Sequence, residues 1–133
     1  MKLKFPYLKG GARNHVILSG SIVLGGSGAI ASVTGFLPTT ATAGTQGVIK
    51  TATKTGRYSL VLDRKYKTVR FLGAPGLVGD TNAAIGNTNA NIAFYRNRTS
   101  NSFDIQLALA SSGADTDGAS GTEIHWAIEV REM

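Results

Sequence analysis

A chain of 133 residues is long enough for one domain with a single core, and without cysteine it can hold no disulfide, thiolate metal site or Cys nucleophile. The net charge of +6 is unevenly spread. Residues 1–70 carry eleven Lys/Arg against Asp63 alone, whereas residues 71–133 carry three Arg against seven acids. A basic half suits nucleic acid, an anionic membrane, an acidic protein surface or further copies of the chain.

The first element in chain order is a basic N-terminal arm, residues 1–13, with Lys2, Lys4, Lys9 and Arg13. An uncharged run from Asn14 to Ile49 follows, with an Ala-x-Ala at Ala41–Ala43. Basic, apolar and small-residue stretches in that order imitate a secretory signal, and the run has the length of a membrane span, roughly 20 residues. Glycines at 20, 25, 26, 28 and 35 interrupt it, however. Val16, Leu18, Ile22 and Leu24 also alternate with Ser19 and Ser21, which is strand periodicity. The expectation is two strands joined by a turn at "LGGSGA", with neither a leader nor a membrane segment.

The remaining residues continue in short alternating runs punctuated by Gly, Asn, Asp, Ser and Pro. "RYSLVLD" points Tyr58, Leu60 and Leu62 one way and Arg57, Ser59 and Asp63 the other. "RKYK" reads as a turn, and "TVRFLGA" places Val69 and Phe71 inward. "PGLVGDTNAAIGNTNAN" reads as a loop, then "IAFYR" and "FDIQLALA" as strands. In the latter, Phe103, Ile105, Leu107 and Leu109 line one face against Asp104 and Gln106. The last strand, "TEIHWAIEVRE", sets Ile124, Trp126, Ile128 and Val130 inward. The predicted fold is all-β: an antiparallel sandwich or barrel, jelly-roll-like, of about seven to eight short strands. Residues 14–133 form one domain behind the arm.

Candidate chemistry is sparse. "GGSGA" lacks the fifth-position Gly of a nucleophile elbow, and "GLVGDTNAAIG" lacks the Lys-Ser/Thr ending of a phosphate loop. Neither His15 nor His125 falls in a recognisable motif, so no catalytic or cofactor-binding residue is assigned, no cofactor is expected and an enzyme is the least favoured class. Asp115-Thr-Asp117-Gly118 matches half of a calcium loop, but Ala119 follows and Glu123 comes too early. Asn97-Arg98-Thr99 fits a glycosylation acceptor and carries meaning only in a eukaryotic secretory route. Glu123, His125 and Glu129 share the face opposite the isoleucines, where alternate residues stand ~7 Å apart. They are candidates for a subunit contact or, for Glu123 and His125, a metal, beside the plain reading of a solvated sheet face. Nucleic acid would call for aromatics interleaved with the basic stripe. Only Phe5, Tyr7, Tyr58 and Tyr66 lie near lysine or arginine clusters, so it is not expected as the main partner.

From about Gly56 onward the chain resembles the head decoration, or cement, proteins of tailed bacteriophages. The resemblance rests on a G-x-Y-x-hydrophobic-x-L strand (Gly56, Tyr58, Leu60, Leu62) and on the acidic loop "ADTDGASG" leading to a final strand that ends shortly after Arg131. It implies a non-enzymatic β domain, commonly a homotrimer, on the capsid exterior. Such a domain would bind the major capsid protein and clamp neighbouring capsid subunits. On that reading Lys2, Lys4, Lys9, Arg13, Glu123, His125 and Glu129 are the candidate capsid or subunit contacts. A tail or connector component of a virion and a host- or carbohydrate-binding β-module remain open alternatives.

Overall fold

A computed structural model describes residues 15–35, 48–51, 53–79 and 91–132. The basic arm, with Lys2, Lys4, Lys9 and Arg13, lies outside the described residues. So do residues 36–47 and most of the Asn-rich stretch, residues 80–90.

The chain folds as two antiparallel sheets packed face to face. One sheet contains β1 (His15–Leu24), β2 (Ile30–Gly35), β5 (Thr68–Phe71), β6 (Gly76–Val78) and β9 (Glu123–Arg131). Its order is β2-β1-β9-β5, and β6 pairs with the same side of β9 farther toward its start. The other sheet runs β3-β4-β8-β7, from β3 (Val48–Lys50), β4 (Arg57–Val61), β8 (Ser102–Leu109) and β7 (Asn91–Arg96). Taking β5 and β6 as one interrupted strand gives eight, within the expected number. Among the described residues neither sheet closes on itself, so of sandwich and barrel the sandwich forms.

β1 and β9 hold the first sheet together. They pair over nine consecutive residues, from His15 opposite Arg131 to Val23 opposite Glu123. Their alternation works because one face is buried: Leu18, Ile22, Leu24, Ile124, Trp126, Ile128 and Val130 are all sealed from solvent. Tyr58, Leu60, Phe103, Ile105 and Leu107 face them from the second sheet. Burying one such side chain contributes about 1.5–3 kcal/mol, so the core follows directly from the period-2 pattern. One end of the core is aromatic. Phe71 stacks on Tyr95 with ring centroids 4.3 Å apart, and Phe103 meets both rings edge-on at 5.8 Å.

Two sequence expectations need correction. Gln106, assigned to the outer face, is fully buried. It does lie opposite Leu107 on the pleat, but the Thr55–Arg57 segment folds over it. Its Nε2 donates to the Thr55 and Leu107 carbonyls at 2.9 and 2.8 Å, and Arg57 Nε donates to its Oε1 at 2.8 Å. A buried amide is stable because these partners satisfy it. The turn "RKYK" contains a core residue, since Tyr66 is only 5% exposed. Its hydroxyl donates to Asp63 Oδ1 at 2.7 Å. Val48–Lys50 forms the short strand β3 against β4, a segment to which alternation assigned no element.

Candidate functional site

The outer face of the first sheet holds the residues singled out at the C-terminus. Its long axis is β9, with Glu123 and His125 at one end and Glu129 near the other. The three do not converge. His125 Nε2 lies 3.0 Å from Glu123 Oε2, both on the exposed side of one strand. Glu129 instead meets His15 on β1, with His15 Nδ1 to Glu129 Oε1 at 2.8 Å and Arg70 Nη1 at 3.7 Å from the same oxygen. His15 and Arg70 as partners of Glu129 were not legible in the sequence, because 114 and 59 positions separate them from it and only the pairing of β1 and β5 with β9 brings them together. Exposed pairs of this kind are worth about 0–1 kcal/mol each, so they set the character of the face more than its stability.

Between the two charged pairs the face is nearly neutral. Ile17 sits opposite Glu129 and is 63% exposed, the most exposed large hydrophobic residue among those described. Ser19 stands opposite Ala127, and Ser21 opposite His125. The Ser21 hydroxyl also reaches Thr34 on β2 across the adjacent strand pair. On the β5–β6 side, Leu72 and Val78 are exposed as well. The arrangement is thus a shallow surface of small and apolar residues with ion pairs at both ends. It offers contact area rather than a reactive cavity.

The acidic loop does different work. Asp117 Oδ1 accepts the Gly56 N–H at 2.9 Å and lies 3.1 Å from Lys50 Nζ, which in turn donates to the Ser27 carbonyl at 2.7 Å. Tyr58 adds a hydrogen bond from its hydroxyl to the Gly28 carbonyl. Together these groups clasp the β1–β2 turn, the start of β4 and the β8–β9 loop at one end of the sandwich. Burial, reinforced by the nearby Asp117 charge, pushes the Tyr58 phenol far above its ordinary range and keeps it a neutral donor. The clasp also explains two glycines. Gly56 has φ +65°, and a Cβ there would stand 1.9 Å from the Thr116 carbonyl oxygen. Gly28, at φ +70°, would press its Cβ to 2.8 Å from Asp117 Oδ1. The half-match to a calcium loop is therefore occupied by a structural role at Asp117, while Asp115 contributes a backbone bridge to Ala108.

Among the described residues no group of three or more His, Cys, Asp or Glu side chains is placed to share a metal ion. Nor is any helix among them long and apolar enough to cross a membrane. Trp126, the single tryptophan, is 3% exposed and packs against Phe103 at 5.8 Å between ring centroids. It is therefore not presented as a sugar-stacking platform. No family model, characterised protein or solved structure matches the chain.

Proposed function

We propose that the chain is a non-enzymatic virion structural protein, a capsid decoration or cement protein whose first sheet lies against a neighbouring subunit. The observation that carries this reading is the outer face of that sheet, with an exposed Ile17 among small residues and ion pairs at its ends. An exposed apolar side chain beside small residues, bordered by ion pairs, is a surface of the mixed character that protein–protein contacts bury. Asp63, Asp104, Asp117, Glu123, Glu129 and Glu132 each hold a hydrogen bond or ion pair within the chain.

Magnitudes favour a repeated weak contact over a single tight one. Four strands at ~4.8 Å spacing and nine residues at ~3.3 Å rise give a face of about 600 Å². A standard specific interface buries about 800 Å² per partner, so one such patch binds modestly. On a capsid lattice the same patch recurs many times, and trimerisation would multiply it further, so avidity supplies the strength. The basic arm, with Lys2, Lys4, Lys9 and Arg13, would add a second, electrostatic tether to the major capsid protein. The test is co-sedimentation with undecorated heads of the cognate virus, using the full chain and a chain lacking residues 1–13. We expect stoichiometric, salt-sensitive binding by the full chain and weaker, less salt-sensitive binding without the arm. A chain that stays monomeric and ignores heads would refute the reading.

A further inference from the structure

At the end of the sandwich where β9 finishes and β1 and β5 begin, two recesses of about 320 and 270 Å³ lie side by side. They share Thr68, Val69 and Arg98, so they are halves of one groove. Its charge is lopsided. Lys67, Arg70, Arg98 and Arg131 line it against Glu129 as the one carboxylate, and among the described residues no carboxylate lies within ion-pair distance of Lys67, Arg98 or Arg131.

Two features make this a prepared site rather than a scatter of surface cations. Arg98 is already fixed, because its Nη1 donates to the Val69 carbonyl at 2.9 Å on the edge strand β5. A guanidinium held by one hydrogen bond keeps further donors for a ligand and loses less rotamer freedom on binding. The groove also contains an internal example of its own chemistry, since the Glu129 carboxylate sits on His15 and Arg70. Hydroxyls of Thr68 and Ser100 line it as well. No aromatic ring lines either recess, so the platform on which single-stranded bases stack is missing here. The groove is short as well, with room for one or two side chains rather than a run of phosphates.

We infer that this groove docks an acidic protein segment, seating its carboxylates on Arg98, Arg131 and Lys67. The inference goes beyond the decoration reading and does not depend on it, because it rests on the groove's charge and geometry alone.

The direct test is fluorescence anisotropy with the full chain and a labelled hexaglutamate peptide at low and physiological salt. A DNA duplex of equal charge serves as the competing probe. We expect saturable peptide binding that weakens with salt, and a loss of about tenfold for Arg98→Gln, as for one charge-assisted hydrogen-bonding partner. Lys67→Gln, at an exposed side chain, should lose severalfold with an unaltered fold. Lys54→Gln, at the opposite end of the sandwich, should bind as the parent does. Absence of peptide binding at low salt, an equal loss in Lys54→Gln, or tighter binding of the DNA would each overturn the inference.

Discussion

The two ends of the sandwich spend their charges in opposite ways. At the loop end, Lys50, Asp117, Gly56 and Tyr58 close on one another and on the β1–β2 turn, so charge there fastens three segments distant in sequence. At the other end, Lys67, Arg98 and Arg131 line a groove whose one carboxylate among the described residues, Glu129, already sits on His15 and Arg70. A buried or half-buried charge with partners is a structural part, whereas an exposed excess of one sign remains available for something outside the chain.

Breaking the fastened end should cost far more than altering the open one. Gly56→Ala combines a positive φ with a Cβ placed 1.9 Å from a carbonyl oxygen. We expect a destabilisation of about 3 kcal/mol or more, read by urea unfolding. Gln106→Leu keeps the volume and strands the Thr55 carbonyl and Arg57 without their partner. A loss of about 1–3 kcal/mol should follow by the same measurement.

Smaller effects should appear as pH dependence near the open end. Burial, and then the hydrogen bond to Asp63, raise the Tyr66 phenol to about 12. A folded-state value above the ordinary 10.0 favours the neutral form, so its stabilisation is complete below pH 10 and lost as pH rises toward 12. Tyr66→Phe should flatten that alkaline limb in thermal melts. Asp63 shifts the other way. Burial alone would raise its carboxyl, but the hydrogen bonds from Tyr66 and Arg64 and the Arg64 charge outweigh it and hold the group below 3.8. Its contribution is therefore present above pH 4 and lost as pH falls through the lowered folded value, and Asp63→Asn should remove that acid-side slope. Lys67→Gln sits at the bottom of the scale, within about 0.5 kcal/mol of the parent, because its side chain is exposed. A large stability loss there would erase the contrast between the ends.

Strand periodicity made the core readable in advance. Leu18, Ile22, Leu60, Phe103, Ile124, Trp126 and Val130 take the inward positions that alternation assigns them, because one sheet face is dry and the other wet. What alternation could not carry is anything decided by segments folding over a face. Gln106 looks like a solvent residue until the Thr55–Arg57 segment covers it, and Tyr66 looks like a turn residue until its ring finds the core. The Lys50–Asp117 link spans 67 positions, and the groove draws on residues 15, 67–70, 98 and 131. No local pattern announces such meetings. At the C-terminus, Glu123, His125 and Glu129 do share a face as their spacing implies. That they split into two pairs depended on His15 and Arg70, which only the pairing of β1 and β5 with β9 supplies.

The contact role proposed for the first sheet's outer face rests most heavily on Ile17. Ile17→Lys places an ammonium directly opposite Glu129, a cross-strand pairing that the sheet should tolerate. Head occupancy of this variant, measured beside its unfolding midpoint, separates contact from folding. We expect an unchanged midpoint and occupancy reduced tenfold or more. Full occupancy with an intact fold would show that this face is not where the chain meets its neighbour.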